Sequence, residues 1–168
     1  CYTSGTTGDP KGVLYSHRST VLHCYASAMP DAMSLSAHEV VMPVVPMFHV
    51  NAWGLPYSCA MVGAKLVFPG AKMGDAETLQ SLIEREQVTF SAGVPTVWQG
   101  LIAYLEKTGK RIDSLTHVLS GGSAVPLALI NQLRERHNVE VVQAWGMTET
   151  SPIGTIRSLS PEASTLPE

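Results

Sequence analysis

The sequence predicts an α/β fold in which a mostly parallel sheet is flanked by helices. From residue 65 onward, short apolar segments alternate with segments whose apolar residues recur at helical spacing, and the connections are short. Strands connected in this way run parallel, because right-handed crossovers place the helices on the sheet faces. A composition of 45% hydrophobic and 15% charged residues over 168 residues fits one globular domain or subdomain.

The chain is predicted to begin its regular structure with a strand and a helix. Residues 13–15 are predicted as a short apolar strand, and Ser19 as the cap of a helix that ends near Pro30. That helix has five apolar residues at helical spacing, namely Val21, Leu22, Tyr25, Ala26 and Met29.

The next two elements are a strand and an apolar helix. Residues 40–45 are predicted as a buried strand, although Pro43 lies within it and cannot donate to a ladder. Residues 55–62 are predicted as a helix, with Gly63 as its stop. The segment between them is too mixed for a regular element.

The remaining chain has a regular alternation. Strands are predicted at 65–68, 88–92, 116–119 and 139–142. Helices are predicted at 75–86, 96–107 and 126–136, where Asp75 caps the first and Pro126 opens the last. Beyond Ile156 the periodicity is lost.

Three loops in this half are predicted to share a cleft. Residues 93–95, 121–123 and 144–146 each follow a predicted parallel strand. Ligands in open α/β sheets bind at the carboxyl ends of the strands, so these loops are expected to line one site. The alternative is that they are ordinary connecting turns.

Residues 2–12 have the composition of a loop that wraps polyphosphate. The segment contains three glycines, four Ser or Thr hydroxyls and Lys11, which supply close backbone approach, donors and a positive charge. It is not the GxxxxGK[ST] P-loop, because Pro10 stands where the second glycine would fall and no Ser or Thr follows Lys11. On composition alone, an ordinary flexible turn remains the alternative.

Three segments together resemble the adenylate-forming enzymes: acyl-CoA synthetases, firefly-type luciferases and peptide-synthetase adenylation domains. They are residues 2–12, 120–126 and 143–152, and they occur in the order of that superfamily. The resemblance is greatest to medium- and long-chain fatty acyl-CoA synthetases. It implies that residues 1–168 are a fragment of the large N-terminal domain, with the C-terminal lid domain outside the chain. A start at Cys1, directly beside the loop, agrees with a fragment, and we expect the fragment alone to make no acyl-CoA.

The resemblance implies residues for ATP and magnesium. Lys11 and the loop would hold the β- and γ-phosphates, Thr148 would contact the α-phosphate, and Thr3 and Glu149 would lie at Mg²⁺, which prefers oxygen ligands. The implied nucleotide-binding residues are Thr3, Ser4, Gly5, Thr6, Thr7, Gly8, Lys11, Gly121, Gly122, Gln143, Ala144, Trp145, Gly146 and Thr148. The alternatives are a surface lysine at Lys11 and a solvated carboxylate at Glu149.

The chain departs from the family pattern at the adenine position. Trp145 stands where the family more often has Tyr, and Ala144 stands where it usually has Gly. Because indole stacks on a purine at least as well as phenol does, nucleotide binding is expected to survive. Core packing is the alternative for Trp145. Gly121 and Gly122 could also form a helix-entry turn capped by Ser123.

The resemblance also implies residues for the acid. His49 would donate a hydrogen bond to the acyl carboxylate. Val50 and Trp53 resemble residues of the fatty acyl-CoA synthetases in particular, in which a tryptophan at this position closes the acyl tunnel until ATP binds, and both are counted among the implied cofactor-binding residues. The implied catalytic residues are Lys11, His49, Thr148 and Glu149. A structural histidine and a core tryptophan are the alternatives at His49 and Trp53.

The predicted reaction is the ATP-dependent ligation of a fatty acid to coenzyme A, through an acyl-AMP and pyrophosphate. The alternatives are a ligase for aryl or short-chain acids and a non-catalytic nucleotide-binding module. A net charge of −3 gives no electrostatic case for nucleic acid, and no apolar run is long enough to span a membrane. Three cysteines without metal-ligand spacing fit a reducing compartment, so cytoplasmic location is expected, with a homodimer possible for the full-length enzyme.

Overall fold

The computed structural model describes residues 1–3 and 8–156, and an antiparallel hairpin opens it. Strand β1 (Tyr2–Thr3) pairs with β2 (Lys11–Gly12). The prediction of a strand at 13–15 is therefore wrong, because the ladder is formed by the two arms of the loop. Past β2, Leu14 is 97% exposed and Tyr15 directs its hydroxyl to a distant part of the chain.

The main sheet has six strands in the order β4-β3-β5-β6-β7-β8. The strands are β3 (Val40–Pro43), β4 (Lys65–Leu66), β5 (Phe90–Gly93), β6 (His117–Ser120), β7 (Glu140–Gly146) and β8 (Ile153–Ile156). Neighbours from β4 to β7 are parallel, and only β8 is antiparallel to β7 within the described residues. The expected mostly parallel sheet is confirmed.

Strand β8 was not predicted, and its absence from the prediction explains a second error. The last strand was predicted to end at Val142, whereas β7 continues to Gly146 because Ala144 and Trp145 pair with Ile156 and Thr155. The prediction that periodicity ends beyond Ile156 lies outside the described residues.

Five helices of eight or more residues occur in the described part of the chain. They are α1 (His17–Ala28), α2 (Leu55–Val62), α3 (Ala76–Glu86), α4 (Pro95–Thr108) and α5 (Leu127–His137). The bounds of α2 and its stop at Gly63 are as predicted, and the Asp75 side chain accepts from the Thr78 amide at 2.9 Å as the cap of α3. None of the described helices is long and apolar enough to cross a bilayer.

The cap of α1 is corrected by the structure. Ser16, not Ser19, is the N-cap, and its hydroxyl accepts from the Ser19 amide at 3.0 Å. Ser19 is the third helical residue, and its hydroxyl accepts in return from the Ser16 amide at 3.1 Å. The two serines form a capping box, which fixes the start of the helix three residues earlier than predicted. Pro126 is likewise the cap of α5, one residue before the helix begins.

The core has two layers because side chains alternate along each strand. Met42, Val118 and Val141 face helices α3, α4 and α5, whereas Val41 and Leu119 face α2 and the segment before it. Helix α1 packs against α2, where the hydroxyls of Ser27 and Ser58 are 2.8 Å apart and buried. The apolar residues Val21, Leu22 and Tyr25 of α1 are exposed, as is Met29 directly after the helix.

Candidate functional site

A cavity of about 200 Å³ lies at the carboxyl ends of β6 and β7. Nine of the residues that the sequence implicated line it: His49, Val50, Trp53, Gly121, Gly122, Ala144, Trp145, Gly146 and Thr148. Three lining residues were missed, namely Met147, Pro152 and Ile153. Met147 and Pro152 lie within the segment 143–152 that carries the resemblance, whereas Ile153 belongs to the unpredicted strand β8.

Gly121 and Gly122 allow the end of β6 to pass close to β7 and to an indole. A Cβ on Gly121 would lie 2.7 Å from the carbonyl oxygen of Ala144 and 3.7 Å from Cη2 of Trp53. Gly122 has a φ of 80°, and a Cβ there would lie 3.3 Å from Cγ1 of Val94. The edge of the Trp53 indole therefore lies against glycine backbone on this side of the cavity.

Trp53 reaches this position from a left-handed turn. The short helical turn Val50–Trp53 has φ values of 43°, 50°, 50° and 56°, and Gly54 follows at 78°. A left-handed conformation costs L-residues about 1–2 kcal/mol each, and such strain is concentrated at functional sites. Trp53 is only 8% exposed, whereas His49, directly before the turn, is exposed.

Glycine is required at position 54 by a close contact as well as by its positive φ. A Cβ at this position would lie 2.6 Å from Cε1 of His23 in α1. The imidazole of His23 thus occupies the space beside the turn, and burial lowers its pKa. The small residue after Trp53 is explained by this contact and by its positive φ.

Trp145 is presented to the cavity by the last pair of strands. Its side chain is 56% exposed, so it is not core packing. The opposite side of the ring lies on Gly154 of β8, where a Cβ would be 2.8 Å from Cζ3 of Trp145. The six-membered ring of the indole thus contacts Gly154, and Trp145 also lines the cavity.

The residues after β7 form a compact turn. Thr148–Thr150 is a 3₁₀ turn in which the Met147 amide donates to the Thr150 hydroxyl at 2.9 Å. Glu149 is exposed, and it makes no ion pair with any residue that the structure describes. Its carboxylate is therefore unpaired within the described structure, in the turn that directly follows Thr148, a residue that lines the cavity.

Tyr15 connects this turn to the amino-terminal hairpin. The Tyr15 hydroxyl donates to the carbonyl oxygen of Thr148, across 133 residues of sequence. Burial and the negative charge of Glu149 raise the pKa of the Tyr15 phenol. The segment that follows the predicted phosphate loop is thus in direct contact with the turn that carries Glu149.

The predicted loop residues themselves are only partly described. Ser4, Gly5, Thr6 and Thr7 lie outside the described residues. Gly8 and Lys11 are exposed, and Thr3 is half-buried. Of the described site residues, Thr3, Gly8, Lys11, Gln143 and Glu149 do not line the cavity of about 200 Å³.

A larger space of about 840 Å³ adjoins the first cavity and shares Val50 and Pro152 with it. It is bordered by Cys1, Tyr2 and the segment 13–17 on one side, and by Met47, Phe48 and Tyr57 on the other. Lys11 and Glu149 do not line it among the described residues. The hairpin and the cavity region are therefore neighbours joined through Tyr15.

The chain belongs to the AMP-binding enzyme family, whose pattern it matches over residues 1–167. It is 60% identical over 155 residues to a medium-chain-fatty-acid–CoA ligase of Ectopseudomonas oleovorans, with 92% of the chain and 28% of the relative covered. It is 57% identical over 155 residues to a 3-methylmercaptopropionyl-CoA ligase of Ruegeria pomeroyi, covering 92% and 29%. It is 56% identical over 152 residues to a long-chain-fatty-acid–CoA ligase of Thermus thermophilus, covering 90% and 28%.

Solved structures agree with the fold. A long-chain-fatty-acid–CoA ligase of Archaeoglobus fulgidus superposes with a TM-score of 0.81 at 31% identity, covering 94% of this chain and 32% of that one. An o-succinylbenzoate–CoA synthetase of Bacillus subtilis, in complex with ATP and magnesium, has a TM-score of 0.80 at 29% identity, covering 97% and 32%. The chain spans less than a third of the length of the relatives it matches.

Proposed function

We propose that this chain is part of the adenylation domain of an AMP-forming fatty acid–CoA ligase. In the first half-reaction, a carboxylate oxygen of the acid would bond to the α-phosphorus of ATP as pyrophosphate leaves. In the second, the thiol of coenzyme A would bond to the acyl carbon as AMP leaves. One observation carries the proposal: the indoles of Trp53 and Trp145, glycines 121 and 122 and Thr148 border a single cavity at the carboxyl edge of the sheet.

The nucleotide side of the proposal is supported by Trp145. Gly154 contacts the six-membered ring of the indole, and Trp145 is more than half exposed while lining the cavity. Adenine would stack there, and Thr148 would lie near the α-phosphate. The hydroxyls and amides of residues 3–8, together with Lys11, would bind the β- and γ-phosphates. Gln143, Ala144 and Gly146 would complete the wall around the purine.

The residues present fit a magnesium ion held together with phosphate. Within the described ranges no three His, Cys, Asp or Glu side chains cluster, so a site formed by protein ligands alone is not available there. Magnesium usually keeps its waters and binds one or two carboxylates together with substrate phosphates. The exposed, unpaired carboxylate of Glu149 meets that requirement, and Thr3 would supply a nearby hydroxyl. The ion would neutralise the charge that develops on the phosphates.

The acid side of the proposal is supported by the segment 49–53. His49 is exposed at the mouth of the cavity, where a neutral imidazole can donate a hydrogen bond to a carboxylate. Val50 and Trp53 provide apolar walls, and the strained turn that carries them is a candidate for a segment that changes conformation. An apolar acid fits these walls better than an amino acid does, because no acidic residue lines the cavity among the described residues.

A ligase for short acids is the second candidate, since the Ruegeria pomeroyi relative is named for a short thioether acid at 57% identity. A pyrophosphate-exchange assay on the full-length enzyme, with acids from propanoate to hexadecanoate and substituted benzoates, separates the two. We expect the highest kcat/KM with medium- or long-chain acids. If short or aryl acids react and dodecanoate does not, the second candidate is correct. If no acid supports exchange, the chain belongs to a nucleotide-binding module without catalysis.

The role of Glu149 is tested by Glu149→Gln in the same assay. Loss of the charge at the proposed ion should lower exchange on the order of 100-fold. Glu135→Gln is the matched control, because Glu135 is an exposed carboxylate on α5, away from the cavity. Equal rates for the two variants would remove Glu149 from the proposed site.

The proposal extends to the whole protein. The C-terminal lid domain would lie outside residues 1–168, since relatives are more than three times longer, and the chain alone is expected to make no acyl-CoA. Detection of thioester formed by residues 1–168 would refute that expectation. We place the enzyme in the cytoplasm, which fits three free cysteines, and a homodimer would be checked by sedimentation of the full-length enzyme.

A further inference from the structure

We propose that Tyr15 is a positioning residue that holds the Thr148–Thr150 turn, and with it Glu149, in the geometry required for magnesium-bound phosphate. The inference rests on the proposed function and assigns a role to a residue outside the segments that the family resemblance implicated at the site. It starts from one contact, the hydrogen bond from the Tyr15 hydroxyl to the Thr148 carbonyl oxygen.

The turn has few other restraints. Its remaining hydrogen bonds in the described structure come from residues 147–152: the Thr150 amide donates to the Met147 carbonyl at 3.0 Å, and the Ser151 amide reaches the Thr148 carbonyl at 3.4 Å. The second bond is long, so the Thr148 carbonyl depends mainly on Tyr15. Tyr15 thus supplies the hydrogen bond that links the turn to the segment after β2, in addition to the β7–β8 pairing at the two ends of the turn.

The phenol suits this position because it donates without adding charge. A tyrosine hydroxyl is an uncharged donor, and here it donates to the Thr148 carbonyl oxygen. A cationic donor in the same place would pair with Glu149 and occupy the carboxylate that the ion needs. The neutral hydroxyl binds the neighbouring carbonyl and leaves the carboxylate free.

The contact also joins the two halves of the proposed phosphate site. Tyr15 lies three residues after β2, which closes the predicted phosphate loop, and Thr148 begins the turn that carries Glu149. The segment that follows the loop contacts the turn here, although 133 residues separate Tyr15 from Thr148. A shift of the turn would therefore change the distance between the carboxylate and the phosphates, and it would also move Thr148, which begins the turn.

The test is Tyr15→Phe in the full-length enzyme, with ATP binding measured by calorimetry in magnesium and in EDTA. Phenylalanine keeps the ring and removes only the donor. Loss of one hydrogen bond predicts that affinity for ATP in magnesium falls about 2- to 10-fold, while affinity in EDTA falls by a smaller factor, because only the effect of a moved Thr148 remains. The magnesium concentration for half-maximal pyrophosphate exchange should rise by a similar factor. The control is Tyr25→Phe, because Tyr25 is an exposed tyrosine on α1.

Each outcome decides the inference. If Tyr15→Phe lowers affinity equally in magnesium and in EDTA, or lowers the unfolding temperature without changing the magnesium dependence, Tyr15 is merely structural and the inference is wrong. An unchanged magnesium dependence also overturns it. If the wild-type enzyme itself shows neither magnesium-dependent ATP binding nor exchange, the proposed function has failed, and this result is distinct from a failure of the variant alone.

Discussion

Trp145 of β7 and Gly154 of β8 are in direct contact across the antiparallel pair, with the indole lying on the glycine backbone. A Cβ on Gly154 would lie 2.8 Å from Cζ3 and 3.0 Å from Cε3 of Trp145. The absence of a side chain at Gly154 therefore sets the height at which the indole borders the cavity. Aromatic side chains commonly cover strand glycines in this way.

This contact predicts that Gly154→Ala weakens nucleotide binding by lifting the indole. Stacking of a base on an aromatic ring contributes about 1–3 kcal/mol to binding. Loss of part of this stacking free energy should be measurable as weaker ATP binding. Calorimetry with the full-length enzyme provides the measurement. Gly100→Ala is the control, since Gly100 lies in α4 with no heavy atom within 4 Å of its Cβ position. Equal ATP affinity of Gly154→Ala and wild type would contradict the stacking role of Trp145.

The close approach of Gly121 to β7 predicts that Gly121→Ala lowers the stability of the fold. An alanine Cβ would lie 2.7 Å from a backbone oxygen of β7, which cannot move without separating the ends of two paired strands. Overpacking of this kind costs about 1–3 kcal/mol, so Gly121→Ala should lower the unfolding temperature. Gly74→Ala, where no atom lies within 4 Å, should be close to neutral. If both variants have the unfolding temperature of the wild type, the close approach of β6 and β7 does not constrain the residue at position 121.

Removal of the His49 imidazole is predicted to weaken binding of the fatty acid selectively. Hydrogen bonds to charged groups contribute about 1.5–3 kcal/mol, so His49→Ala should raise the KM for the fatty acid about 10-fold or more, with the KM for ATP little changed. Steady-state kinetics with each substrate varied in turn would show it. His38→Ala, at an exposed histidine before β3, serves as the control. A change confined to the KM for ATP would place His49 on the nucleotide side.

Cys59 predicts a dependence of stability on pH. Its thiol is buried in α2, and burial, with a contribution from Cys24, raises the pKa from 9.0 to about 12. The folded state binds the Cys59 thiol proton more tightly than the unfolded state does. The contribution of this proton to the free energy of unfolding is therefore complete below pH 9.0 and is lost as the pH rises toward about 12. The loss should amount to at most about 1.4 kcal/mol for each pH unit.

Denaturant midpoints at about pH 8 and about pH 10 would measure this effect. Cys59→Ala should lose less stability than the wild type between the two values, whatever its baseline stability. Cys1→Ala is the control, because Cys1 is exposed. Identical losses for all three proteins would show that Cys59 ionises alike in the folded and unfolded states.

The secondary structure was predictable where a local signal was sufficient. The bounds of α2, the Asp75 cap and the repeated strand–helix order follow from hydrophobic period and from glycine, proline and aspartate at element ends. The capping box at Ser16 and Ser19 shows the limit of such signals, because either serine has the chemistry of a cap and only the hydrogen bonds distinguish them. Strand β8 was missed because a short strand is stabilised by pairing with its neighbour, here β7, and this pairing leaves little local signal in the sequence.

The sequence by itself determined the fold class and the chemistry available at the carboxyl edge, since residue types and their spacing are local properties. Only the tertiary structure decided that Val50–Trp53 is left-handed, that Gly154 supports Trp145 and that Tyr15 binds Thr148. These three relationships depend on contacts between segments far apart in the chain or on strain that the surrounding packing imposes. No local propensity encodes either, because each is fixed by the free energy of the whole packed domain.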